Sequence, residues 1–526
     1  MSITKLLDCT LRDGGYINDF HFGVYGLKKI IYQLTEAGID IVECGFLEDG
    51  EYDESCSVFQ TVEQIKPFIP SDRGKTMYVA MACYGEYSIE QLSEYDGSSI
   101  DAIRVSFHYN EIEEALSFCK QVKQKGYKLF VQPIGTSSYS DEQLIELIQS
   151  VNKLQPFAFY LVDTLGLMYQ DDVLRFYHLI DKHLDSKIQI GFHSHNNLQL
   201  SYSNGQALAN LNSDRIISLD CSVNGMGRGA GNLNTELIAN FLNEHQGKRY
   251  EIEPILEIVD EFIIKIREKF KWGYSVPYYL AAINGCHPNY ATYFSDKQTL
   301  NVKSIATILR MIEPKKRSLF DKQLAEEKYR EFQSREVDDN STIKLLQKEF
   351  SNKNILLIAP GNSINRHQEE IINIAKSQNC IVLSVAFVPD FIVSHFSFIS
   401  NLKRYNSSFS ITQSIKLIHT SNIQVDQADK YVVNYSSLLN ESDIIMDNAA
   451  LMSLNLLTKL QPAKVYLAGM DGYIFGKDNY IQDNLRNEQD KERFDALNTA
   501  IKERISELKE KINLEFITPS LYNETL

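Results

Sequence analysis

Two histidines two residues apart, His193 and His195 in the run FHSHNN, are the strongest chemical signal in the sequence. They close an apolar stretch that reads as a strand. Side chains at i and i+2 of a strand share a face, so both imidazoles can converge on one ion. A second signal, DCTLRDGGY, follows the first apolar run and supplies Arg12 and Asp13. Two histidines and a carboxylate with positions left open suit a divalent ion that must also bind substrate. A fixed guanidinium beside it would hold a 2-oxo carboxylate and stabilise an enolate oxygen. The third signal is NGMGRGAGN, whose glycines at 225, 227, 229 and 231 allow tight turns and close backbone approach; Asn232 can supply an amide oxygen to the ion or its surroundings. Singly, each has a plainer reading: a buried histidine pair, a salt bridge in a turn, a glycine-rich connection.

What must position these residues is a set of short apolar runs. Strands are expected at Lys5–Thr10, Asp40–Phe46, Lys75–Ala82, Ala102–Phe107, Lys128–Ile134, Phe157–Asp163, Lys187–His193 and Arg215–Val223. Helical patterns such as DEQLIELIQSVNKL fill most of the gaps, with apolar residues three and four apart. Near-continuous apolar strands alternating with amphipathic helices imply a parallel sheet covered by helices. Eight such units point to a closed (β/α)8 TIM barrel; an open doubly wound sheet is the rival. In a barrel, active sites lie at the carboxyl ends of the strands, where FHSHNN and DCTLRDGGY fall, and Asp13 would face the histidines across the eighth strand.

The 526 residues allow two or three domains. The expected division is a barrel over 1–250, a helical extension and linker over 251–345, and an open, Rossmann-like α/β domain over 346–526. The charged stretch EPKKRSLFDKQLAEEKYREFQSREVDDN has little to bury and reads as linker or an exposed helical pair. In the last domain strands are expected at Asn354–Ala359, Ile381–Phe387, Phe391–Ser394, Lys430–Tyr435, Asp443–Met446, Lys464–Ala468 and Leu514–Ile517. The turn with Gly361, Asn362 and Ser363 opens a helix and could hold a phosphate, and Asp471 falls at another strand end. The turn lacks the full dinucleotide fingerprint and the P-loop lysine. The net charge of −16 argues against a broad nucleic-acid surface. No signal-peptide stretch or run of about 18 apolar residues is present. Eight scattered cysteines without a CxxC pair fit reduced thiols, so a cytoplasmic protein with no membrane insertion is expected.

Together, DCTLRDG, HSHNN and GMGRGAGN resemble the metal-dependent pyruvate-type aldolases and 3-hydroxy-3-methylglutaryl-CoA lyase-like enzymes, most closely the 4-hydroxy-2-oxovalerate aldolases. The resemblance spans about residues 5–295 and includes IRVSFH. It implies Mn2+ or Mg2+ held by Asp13, His193 and His195, with Asn232 near the ion and Arg12 stabilising a pyruvate enolate. It also implies that Asp163 and Thr164 of VDTLG line the site and that Glu43 of VECGF supports the metal surroundings; a paired acid bridging barrel strands is the alternative for Glu43. The sequence departs from these aldolases at Tyr16, where they carry a catalytic histidine. Tyrosine, with a pKa near 10, is a poorer base, so either Tyr16 works with an ordered water or another group serves, with His21 and His108 as the candidates. Tyr290 of HPNYATYF is the nearest match to the family's acid–base tyrosine.

The implied function is a lyase: aldol cleavage or formation between pyruvate enolate and an aldehyde. The partners would be a small 2-oxo acid and an aldehyde, with a homo-oligomer possible. The C-terminal domain faintly resembles nucleotide-sugar-binding domains of the sialyltransferase kind, which implies unusual-sugar or surface-polysaccharide biosynthesis. A Claisen-type acyl-CoA lyase or synthase is an alternative, although no basic cluster for the CoA phosphates lies near the site. A barrel that has lost catalysis and serves as a binding module in glycan assembly is another.

Overall fold

The structure is a computed structural model describing residues 3–247, 249–297, 299–408, 415–423, 431–482 and 491–523. By chain contacts it divides into two compact units, Met1–Thr292 with Ile312–Phe320, and Tyr293–Met311 with Asp321–Leu526.

Alternation along the strands decides what the first sheet encloses. Its members are β1 (Thr4–Asp8), β2 (Ile41–Leu47), the two-residue β3 (Val58–Phe59), β4 (Met77–Cys83), β5 (Ala102–Phe107), β6 (Lys128–Pro133), β7 (Ala158–Asp163), β8 (Gln189–Ser194) and β9 (Ile217–Cys221). All pairings are parallel, and β1 pairs with both β9 and β2, which closes eight strands into a barrel with β3 appended to β2. Leu7, Ile41, Val79, Ala102, Phe130, Ala158 and Tyr160 pack with one another as a core cluster apart from the larger one. The neighbouring positions Leu6, Val42, Ala80, Ile103, Val131 and Phe159 join the larger core that includes the buried helix faces. Gly191 leaves space for Tyr160: a Cβ there would stand 2.2 Å from its ring. The helices begin where their sequences dictate; Ser140 and Gln143 cap the helix Asp141–Leu154 reciprocally, each side chain accepting from the other's backbone N–H.

The second unit holds a seven-stranded parallel sheet: β10 (Asn354–Ile358), β11 (Ile381–Val385), β12 (Phe396–Ile399), β13 (Lys416–Thr420), β14 (Tyr431–Val433), β15 (Lys464–Ala468) and β16 (Leu514–Phe516). Their order is β14-β13-β12-β11-β10-β15-β16, so the winding reverses between β10 and β15. Three expectations are corrected. The strand placed at Phe391–Ser394 lies further on, at β12. Asp443–Met446 is a turn leading to Asn448, whose side chain caps the helix Ala449–Leu460 by accepting from Leu451 N at 3.2 Å. The charged stretch, read as linker or an exposed helical pair, does form a helix, Lys322–Gln333, but buries Leu324, Ala325 and Tyr329, with the Tyr329 hydroxyl donating to Asp447. β13 was not foreseen, and Lys430 lies outside the described residues. Among the described residues no helix is long and apolar enough to cross a membrane.

Candidate active site

The exit from β1 is a tight turn. The Cys9 carbonyl accepts from the Arg12 and Asp13 amides at 3.1 and 2.8 Å, and Thr10 Oγ1 accepts from Val223 N at 2.8 Å, tying this turn to the exit of β9. Asp8 anchors it, accepting from Thr10 N and Thr235 Oγ1, and burial pushes its carboxyl up to about 6. Because β9 lies between β1 and β8, Asp13 comes to face the two histidines. Ligand atoms of Asp13, His193 and His195 all lie within 4.8 Å of one another, and all three residues are buried.

Each ligand is held from behind. His193 Nδ1 lies 3.0 Å from Asp220 Oδ2, which also accepts from the wholly buried Arg104, leaving Nε2 as the ring's remaining ligand atom. Asn232 Nδ2 donates to Asp13 Oδ2 at 2.8 Å and to the Met226 carbonyl at 3.2 Å. Its Oδ1 stays buried without a hydrogen-bond partner, as does His195 Nδ1, 4.0 Å from Asp13 Oδ2. Gly227 must be glycine: a Cβ would stand 2.5 Å from Asn232 Nδ2 and 2.8 Å from Asp13 Oδ2.

Burial alone would raise the Asp13 carboxyl, but His195, Arg12, His193 and Arg228 together outweigh it and hold it well below the carboxylate range. Burial pushes His195 down to about 3 despite the pull of Asp13, so its ring keeps a free lone pair. The orphaned His195 imidazole nitrogen and Asn232 amide oxygen, beside the Asp13 carboxylate, fit a divalent cation held by Asp13, His193 and His195, with Asn232 next to it.

Arg12 donates through Nε to Glu43 Oε2 at 2.8 Å and through Nη1 to Asp13 Oδ1 at 2.7 Å. Its Nη2 is buried with no partner. Glu43 also pairs with Arg104 at 2.8 Å, so it bridges two guanidiniums and orients Arg12. Asp163 accepts from the Leu167 and Met168 amides, and Thr164 Oγ1 from Gly135 N; both shape the loops of this wall.

The acid–base expectations separate more sharply. Tyr16 is 38% exposed; its ring packs edge-on against Phe20 and Phe46, with Arg228 over its face at 4.1 Å. Burial pushes its hydroxyl up, against the pull of Arg228. His108 stands half-buried just past β5, its amide donating to Glu111. His21 faces Asp53 and Cys56 on exposed loops, in a cluster separate from that of Asp13. Tyr290 is corrected: it is wholly buried, packs edge-on against Phe320 and donates to the Lys316 carbonyl at 3.2 Å, which makes it a packing residue. Arg104, Asp220, Arg228 and His287 had been given no role. The first two were visible as charges inside the apolar runs AIRVSF and ISLDC, but their partners were not. His287 interacts with Arg228, and burial pushes its ring down to about 4.

In the C-terminal sheet, Ser363 N and Oγ both donate to the Asp471 carboxylate, at 2.6 and 2.5 Å, while Asn362 donates to the Asp478 carbonyl. Gly361 has no room for a Cβ against the Gly469 carbonyl. A phosphate at this turn would have to displace the Asp471 carboxylate from the Ser363 amide.

Residues 4–260 match the model of the HMGL-like family. The chain is 27% identical to a 4-hydroxy-2-oxovalerate aldolase of Chloroflexus aggregans over 265 residues, 49% of this chain and 73% of that one. It is 25% identical to an oxaloacetate decarboxylase of Mycobacterium tuberculosis over 243 residues, 45% of this chain and 69% of that one. Among solved structures, the N-terminal domain of a protein assigned as an aldolase from Bacteroides vulgatus superposes with a TM-score of 0.50 at 25% identity, covering 58% of this chain and 99% of that one. The match to the HMGL-like family thus runs the length of the barrel, residues 4–260, and the relatives it resembles point to a lyase.

Proposed function

We propose that the barrel is a divalent-metal-dependent aldolase that cleaves or forms the bond between a pyruvate enolate and an aldehyde, acting on 4-hydroxy-2-oxo acids. The observation that carries this reading is the buried, partnerless Nη2 of Arg12, beside the cluster of Asp13, His193 and His195. When bound, Mn2+ or Mg2+ supplies Lewis-acid charge to the carboxylate and keto oxygens of the acid. Arg12 offers its free N–H to the oxygen that becomes anionic as the C3–C4 bond breaks, and Glu43 fixes the guanidinium plane. At the rim, Tyr16 keeps its proton because burial raises its pKa. His287 Nδ1 accepts from Asn289 N at 3.2 Å, which leaves Nε2–H as a donor in the neutral ring. Either would hydrogen-bond the aldehyde oxygen: in condensation one of them gives its proton to that oxygen, and in cleavage the same group, in its deprotonated form, takes the 4-hydroxyl proton.

The test is pyruvate release from 4-hydroxy-2-oxo acids on adding Mn2+ or Mg2+, abolished by chelator and restored by the ion. Turnover no higher than that of an Asp13→Asn control across a broad panel would sink the reading. A second reading is oxaloacetate decarboxylation, favoured by Tyr16: loss of CO2 yields the same enolate without a hydroxyl proton to remove. Pyruvate from oxaloacetate alone would select it.

For the C-terminal domain we infer a nucleotide or nucleotide-sugar site in a cavity of about 270 Å3. The cavity lies past the ends of the neighbouring strands β10 and β15, between which the winding reverses, with Gly361, Ala386, Gly469 and Ala449 among the small residues around it. Open α/β sheets take ligands at this reversal point. Calorimetric titration of the intact chain with a nucleotide panel should show saturable heat, and silence across the panel rejects the site.

A further inference from the structure

A second group of ligating side chains lies on the loops after β1 and β2, outside the barrel centre. The chain turns through two consecutive left-handed residues, Asp19 (φ 52°) and Phe20 (φ 62°), to present His21. Such a conformation is costly for side chains of this size, and it persists only where the surroundings enforce it. His21 then bridges Cys56 in antiparallel fashion through the backbone. Asp53 holds the same loop: its Oδ1 accepts from Ser55 N at 2.8 Å and Ser55 Oγ at 2.7 Å. The other oxygen, Oδ2, is turned to His21 Nε2 at 3.5 Å and to Cys56 Sγ at 3.6 Å.

Two details separate this from an ordinary ion pair. A direct N–H···O bond would close to roughly 2.7–3.2 Å, whereas the nitrogen–oxygen separation here is 3.5 Å. Zinc bonds of about 2.0–2.1 Å to nitrogen or oxygen and about 2.3 Å to sulfur give tetrahedral edges of about 3.3–3.6 Å; the nitrogen–oxygen separation falls there, as does that of Cys56 Sγ, which without the ion donates its S–H to the same oxygen. In addition, His21 Nδ1 donates to the Asp19 carbonyl at 2.8 Å. In the neutral ring this leaves the lone pair on Nε2, the atom facing Asp53 and Cys56, as a metal-ligating histidine requires.

We propose that His21, Asp53 and Cys56 form a zinc site at the barrel rim, with a fourth position open to water. A thiolate among the ligands selects zinc over Mg2+ or Mn2+. Binding replaces the thiol proton of Cys56 by the ion, and the proton leaves to solvent. Because that proton must leave, affinity climbs with pH. The site would clamp the two loops to each other. Phe20, next to His21, packs against Tyr16 and Phe46, and Arg12 lies over the Phe46 ring at 5.8 Å, so the clamp stiffens the wall beside the candidate active site. It does not depend on the aldolase reading.

The experiment uses the full chain, stripped with chelator and titrated with Co2+. A thiolate-to-cobalt charge-transfer band in the near ultraviolet is expected. It should persist in Asp13→Ala, which lacks a ligand of the barrel centre, and disappear in Cys56→Ser and His21→Ala. Because those variants could fold poorly, a second measurement uses the unaltered chain: Zn2+ should slow alkylation of Cys56, read by peptide mass spectrometry, at least tenfold. No band in the unaltered chain, a band that survives Cys56→Ser, or alkylation of Cys56 indifferent to Zn2+ would each overturn the site.

Discussion

Replacing Asp13 by asparagine is expected to strip the barrel of its divalent ion and to lower kcat/KM by about 10^3-fold or more. The size follows from the several kcal/mol that Lewis-acid stabilisation contributes, at about 1.4 kcal/mol per tenfold. The Asp13 carboxylate accepts from Arg12 on one oxygen and from Asn232 on the other. An asparagine of the same shape must turn an NH2 toward one of these donors, leaving a buried donor unsatisfied at a cost of about 1–3 kcal/mol. It also removes the negative charge that offsets Arg12 and Arg228. Metal content by mass spectrometry, kcat/KM and the thermal midpoint check the three parts. An Asp13→Asn protein that keeps its ion and loses less than tenfold in activity would show that these side chains do not form the centre.

Arg12→Lys should leave the ion bound yet reduce kcat by about 10^2–10^3-fold, the loss that follows removal of one preorganised donor from an oxyanion. The guanidinium makes three directed contributions at once: Nε to Glu43, Nη1 to Asp13 and a free Nη2. An ammonium is a point charge and cannot keep all three in one plane. If Arg12 acts on the developing enolate, the loss falls on kcat with KM little changed. A rise in KM alone, with kcat intact, would reduce Arg12 to a ground-state anchor.

The sequence displayed these two residues because their physics is local. His193 and His195 share a strand face by the two-residue pleat, and the position of Asp13 follows once eight strands close. The strand Ala102–Phe107 could be read to the residue because both its faces are buried and its ends are marked by turn residues. Long-range pairing was another matter. Nothing local tells that Asp220 receives both His193 and Arg104, residues 27 and 116 positions away. Tyr290 went astray for a related reason: the resemblance matched it by its place in an aromatic-rich segment, and nothing local separates a hydroxyl facing substrate from one that donates to the Lys316 carbonyl. In the second sheet, Asp443–Met446 has the composition of a strand, but the cap of the following helix claims that stretch of chain as a turn.

The chain of ion pairs inside the barrel sets an order of arrival. Two guanidiniums, Arg12 and Arg104, face three carboxylates, Asp13, Glu43 and Asp220, in an interior sealed from solvent. Arg228, which also acts on Asp13, brings this set close to neutrality. A divalent cation seated among them would then leave a positive surplus, and at low local dielectric such a surplus draws in an anion. On the proposed function, loading is therefore expected to run ion before acid, with a chelator withdrawing the ion most readily between turnovers.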